Sequence, residues 1–84
     1  METKIGRISH YFGKIGVGVI ELTDGDLAVG ATIKIKGREQ EFEQTVSSMQ
    51  IEHQEVASAS KGQSLGLKVD QPVKEADEVF LVTA

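Results

Sequence analysis

The 84-residue sequence has no cysteine, no tryptophan, a single proline and only four aromatic residues, Tyr11, Phe12, Phe42 and Phe80. Without cysteine there is neither a disulfide nor a thiolate metal site, and a reducing cytoplasm is the expected location. No apolar run approaches the roughly 18 residues of a membrane span, and no basic start leads into an apolar segment as in a signal peptide, so no membrane partner is expected. Excess positive charge is missing too. Thirteen acidic against nine basic residues give a net charge of -4. That excludes a free-standing, sequence-independent nucleic-acid binder whose affinity rests on neutralising phosphates, while leaving room for a local basic edge.

What is present describes a small globular domain. Hydrophobic residues make up 39% and charged residues 26% of the chain, and no linker, repeat or low-complexity tract divides it, so residues 1-84 form one domain. A chain of this size buries somewhat over ~60% of its unfolded surface, which allows a modest core. The patterning has period two. Residues 4-12 (KIGRISHYF) and 15-22 (IGVGVIEL) read as strands. In the second, Ile15, Val17 and Val19 share one face while Ile20 and Leu22 take the other, which predicts a bulge or burial on both sides. Gly16 and Gly18 allow a sharp bend there. Asp24-Gly25 predicts a tight turn. Residues 31-37 alternate with Ile33 and Ile35 inward. In 41-53, Phe42 and Val46 set one phase and Met49 and Ile51 the other, which predicts a bulge near Ser47-Ser48. Residues 54-61 read as a loop, and 63-69 and 78-83 as strands. About six strands at ten-residue spacing predict an all-β fold, a small six-stranded antiparallel β-barrel.

Gly62-Gln63-Ser64-Leu65-Gly66 spells the G-x-S-x-G of serine hydrolases. That motif needs a helix after the serine and a histidine later in the chain. Here Leu65, Leu67 and Val69 alternate as a strand, and both histidines, His10 and His53, precede Ser64. The chain is therefore expected to be no enzyme and to need no cofactor. His10 and His53 fall short of the three or four ligands of a zinc site. Asp24 and Asp26 lack the rest of a calcium loop. Gly13-Lys14 is only a fragment of a phosphate loop and no N-K-x-D follows, so GTP binding by the chain alone is not expected. The best local binding signal is His10-Tyr11-Phe12 with Arg7 and Lys14, since aromatics beside cations can stack bases and hold phosphates. The alternative is that Tyr11 or Phe12 plugs the core. Lys34, Lys36 and Arg38 could meet an anion or keep a sheet edge soluble.

Several segments in order resemble domain two of the translational GTPases, elongation factor Tu and its relatives. Gly18-Val19-Ile20-Glu21 is similar to their G-x-[VI]-E strand. Leu27 to Gly30 with Ile33, Ile35 and Gly37 is similar to the segment after it, and Val46 to Ile51 to the next strand. Val56, Ala59, Gly62, Leu65, Gly66 and Leu67 resemble the family's V-x-x-A-x-x-G-x-x-[VL]-G-[LI] ending. The resemblance, closest to short elongation factor-like proteins, implies a non-catalytic barrel associating with translation machinery: ribosomal RNA, tRNA or a protein factor. It also implies that Glu21 lies near a pocket for the aminoacyl end of tRNA. Collagenase-like peptidases end in such a barrel as well, and that likeness implies a protein–protein adaptor with a partner enzyme.

Overall fold

The computed structural model describes residues 1–38, 40–52 and 54–83. The described residues form β-strands, turns and bends, with no helix. None could therefore cross a membrane as a long apolar helix. In chain order the strands are β1 (Glu2–Phe12), β2 (Val17–Leu22), β3 (Leu27–Ala28), β4 (Thr32–Lys36), β5 (Glu41–Thr45), β6 (Met49–Ile51), β7 (Gln54–Val56), β8 (Ser58–Ala59), β9 (Ser64–Lys68) and β10 (Glu78–Val82). Eight of them make one antiparallel sheet in the order β5-β4-β10-β1-β2-β9-β6-β7, and β3 pairs with β8. The expected closed six-stranded barrel is thus corrected. The fold is all-β and antiparallel, but the sheet is open, with β5 and β7 as its edges.

The core is aliphatic. Ile8, Ile20, Ile33, Ile35 and Val79 are fully buried, joined by Leu22, Val46, Met49 and Leu65. β4 alternates as read, with Ile33 and Ile35 inward. β2 does not change phase: Gly18, Ile20 and Leu22 face the core, and Val17 and Val19 lie half-exposed outside. The irregularities sit in β1 instead, one between Lys4 and Gly6 against β10, another between Ile8 and His10 against β2. Each inserts one residue, first Ile5 and then Ser9, and so resets which side chains face inward. This lets Ile5 and Ile8, three apart, share the core.

Four further expectations change. Asp24-Gly25 is no positive-φ turn, since the glycines in that region of φ are Gly16, Gly30 and Gly62. Instead the Thr23 and Asp24 amides both donate to the Ile5 carbonyl at 3.0 Å. Residues 46–48 are not a bulge. They carry the chain from β5, paired with β4, to β6, paired with β7 and β9. The 54–61 loop contains β7 and β8. β4 is also interior, between β5 and β10, so Lys34, Lys36 and Arg38 mark no sheet edge.

β5 reaches back across the interior through one side chain. Gln44 is 7% exposed, the one buried polar residue among those described. Its Nε2 donates to the Lys68 carbonyl at 2.9 Å, and its Oε1 accepts from the Asp70 amide at 2.8 Å. The amide of a side chain thereby supplies the donor and acceptor that a neighbouring strand would otherwise supply.

Candidate functional site

The bulge at Ser9 decides what the first hairpin displays. Across β1 and β2, Arg7 lies opposite Glu21, Ile8 opposite Ile20, His10 opposite Val19, Tyr11 opposite Gly18 and Phe12 opposite Val17. Arg7, His10 and Phe12 therefore share the outer face, and Tyr11 turns inward against the core. Gly18 makes this possible: a Cβ there would already sit 3.3 to 3.7 Å from Val73, Val69 and Ile8. The two aromatics divide the roles between them, Tyr11 packing inside and Phe12 standing in solvent.

The hairpin tip is held in place. Phe12's carbonyl accepts from the Gly16 amide at 2.9 Å, and Gly16, at φ 67, returns the chain to β2. Gly16's own carbonyl accepts from the Val69 amide at 2.9 Å, fastening the tip to the end of β9. The rings of His10 and Phe12 meet edge to face at 4.4 Å between centroids, a favoured aromatic geometry. His10 Nδ1 lies 3.6 Å from the Glu75 carboxylate. Phe12 is 47% and Ile15 64% exposed. Behind them Val19 faces Gly66 and Val17 faces Lys68 across β2 and β9. Gly66 has no side chain, so the outer surface dips between Val19 on β2 and Gln50 on β6, its partners on either side. Ile15, Val17, Val19 and Gly66 belong to this surface, and sequence reading gave them a place in strands and turns but no binding role. An isoleucine placed in a glycine-bounded turn was the available signal for it.

The remaining candidates lie elsewhere on the face or do other work. Arg7 and Glu21 pair with each other at 3.6 Å. They continue a row that runs Glu41, Lys36, Glu78, Arg7, Glu21 across β5, β4, β10, β1 and β2, alternating in sign at every step. Opposite charges facing across strands stabilise a sheet modestly. Lys34, beneath this row, bonds both Glu2 and Glu41. The hydrogen bond to Glu41, then that to Glu2, raises its ammonium above the ordinary lysine range, and Lys34 in turn holds Glu41 below the usual carboxylate range. A depressed carboxylate contributes stability above its unfolded pKa and loses it as pH falls through the folded value. Lys34→Met should accordingly flatten the acid limb of a Tm-against-pH curve below about pH 4.5. An unchanged limb would show that the pair contributes nothing.

Ser64 opens β9, opposite Glu21, so the strand that follows it rules out the helix of a nucleophile elbow. Gly62, at φ 93, closes a turn in which the Gln63 amide donates to Ser60 at 3.0 Å, the left-handed position of a type II turn. Asp26 accepts from the Lys61 amide at 2.8 Å and pins this turn. His53, which with His10 falls short of a zinc ligand set, lies outside the described residues. A cleft of about 750 Å³ lies between the β4–β5 turn and residues 72–78, lined by Lys36, Arg38, Lys74 and Asp77 among others.

No family model matches the chain. Over 80 residues, 94% of the chain, it is 41% identical to an uncharacterised protease of Methanocaldococcus jannaschii. Over 80 residues it is 31% identical to a collagenase of Porphyromonas gingivalis. It spans 19% and 22% of the lengths of those two proteins, about a fifth. Among solved structures, the C-terminal domain of a Geobacillus thermoleovorans protein described as a U32 peptidase superposes with a TM-score of 0.87 at 18% identity. The match covers 94% of this chain and 91% of that one. The chain has the fold of a U32-peptidase C-terminal domain. The likeness to collagenase-like peptidases is therefore the supported one. The assignment to elongation factor-like proteins, with ribosomal RNA, tRNA or a translation factor as partner, is overturned by these protease relatives, and Glu21 loses its inferred place near an aminoacyl end. The shared segments misled because they encode local geometry. A left-handed Gly62 turn entering an alternating strand serves this peptidase-domain fold as well as any other small β-domain.

Proposed function

We propose that this chain is a non-catalytic protein-binding module that associates with the catalytic part of a peptidase. One observation carries the reading: 94% of the chain aligns with proteases of which it makes up only about a fifth. The compact unit described above corresponds to one module of a larger protein, and the rest of that protein is its natural neighbour. Ser64 at the head of a strand and the Arg7–Glu21 pair fit a scaffold rather than a reaction centre.

Replacing the matching 80-residue segment of the Methanocaldococcus jannaschii protease with this chain tests the association. Binding to the folded state raises apparent stability. The joined chain should unfold at least about 5 °C above the isolated 84-residue protein, roughly 1 kcal/mol at this size. Calorimetry in which the module melts at its isolated temperature would sink the reading.

A further inference from the structure

We infer that the module docks through the tip and outer face of its first hairpin, onto an apolar surface of the peptidase's catalytic part that is rimmed by carboxylates. The inference rests on the proposed association and specifies its surface. Among the described residues the exposed large apolar side chains are Met1, Phe12, Ile15 and Val29, and two of these four stand on this one turn. Phe12 continues into half-exposed Val17 and Val19, with Gly66 as a bare floor beside them. A clustered apolar patch of this kind marks an interaction surface more often than scattered exposure does.

Charge identifies the occupant. The turn itself carries Lys14, and residues 3 to 20 hold no acid, although Lys4 and Arg7 within them are already paired with Glu78 and Glu21. Lys68 borders the same patch opposite Val17. Glu75 sits beside His10, so the carboxylates of the partner belong nearer Lys14 and Lys68, away from it. Complementary charges at a rim steer encounter and fix register, while the apolar centre holds the complex. The surface is also preorganised. The Gly16–Val69 hydrogen bond and the His10–Phe12 ring contact fix the tip before any partner arrives, which lowers the ordering cost of binding.

Amide hydrogen exchange, compared between the isolated chain and the same chain joined to the Methanocaldococcus jannaschii protease, locates the interface. The amides of residues 13 to 15 should exchange at least tenfold more slowly in the joined protein. Phe12→Ser combined with Ile15→Ser should restore the isolated rates, and Lys14→Glu should restore them partly. The Tm of the isolated chain should barely move in either variant, since these side chains lie outside the core. Protection gained instead around residues 36–38 and 72–78 would overturn the hairpin surface and leave the association standing. No protection anywhere would overturn both. Protection of the hairpin in the isolated chain that grows with concentration would assign the patch to a second copy of this chain and reject the peptidase surface.

Discussion

Gly6→Ala should be the most damaging single-methyl change in the protein, removing at least about 3 kcal/mol of stability. Gly6 lies in β1 between two partners, opposite Val79 on one side and Leu22 on the other. A Cβ built on it would stand 2.2 Å from the Glu21 carbonyl oxygen and 3.1 Å from its carbon. Those are backbone atoms of an interior strand, so no rotamer change relieves the clash. Either β1 or β2 must move, and both carry core residues, Ile5 and Ile8 on one and Ile20 and Leu22 on the other. A domain of this size has only about 5–15 kcal/mol in total, so much of the population would unfold in mild urea. Two comparisons separate this cause from a general effect of losing glycine. Gly66→Ala meets nothing closer than Val17 at 3.4 Å and should cost little. Gly30→Ala has open space around it but φ of 95, and should lose about 1 kcal/mol through backbone strain. Urea midpoints ranked Gly6 far below Gly30, and Gly30 below Gly66, are expected. A Gly6→Ala protein as stable as Gly30→Ala would mean that β1 and β2 are not so closely apposed.

The same strand shows where sequence reading stopped. Ile33 and Ile35 alternate without interruption in β4, and their burial could be read directly. β9 was legible for the same reason, and with it the failure of the serine motif. The neighbouring strands were not, because a β-bulge leaves no fixed residue signature. The phase conflict among Ile15, Val17, Val19, Ile20 and Leu22 was real, but its resolution lies partly in the partner strand: β1 carries the extra residues, and Val17 and Val19 stay outside. β7 and β8, three and two residues long, are too short to show any period. The hairpin was flagged as a binding candidate through His10, Tyr11 and Phe12, yet which aromatic faces out depends on the bulge at Ser9. Sequence alone placed all three together, and the register separates Tyr11 from the other two. Arg7 and Glu21 were read one at a time, and only strand order shows them as neighbours in an alternating row of charges.

Gln44 was passed over altogether, since a polar residue between Phe42 and Val46 reads as an irregularity rather than a core position. Gln44→Glu should lower stability by about 2–4 kcal/mol at pH 7. The introduced carboxylate could still accept from the Asp70 amide, but it would turn a second oxygen towards the Lys68 carbonyl, where Gln44 now donates. Both the repulsion and the burial disfavour the charged form, so the folded-state pKa of the new group should rise above the unfolded value of about 4.3. The sign of the pH effect follows. A carboxyl raised in the folded state binds its proton more tightly there than in the unfolded chain, so the deficit shrinks as pH falls through the folded pKa towards the unfolded one. The protonated acid can then donate to Lys68 as the amide does. Gln44→Leu instead strands the Lys68 carbonyl and the Asp70 amide at every pH, and its deficit of about 2 kcal/mol should not vary between pH 7 and 4 beyond that of the wild type. Urea unfolding of the three proteins at both pH values distinguishes the cases. Recovery of Gln44→Glu at pH 4 without recovery of Gln44→Leu would establish that a side-chain amide stands in for strand pairing at this edge of the open sheet. Equal deficits at both pH values would show that the side chain only fills space.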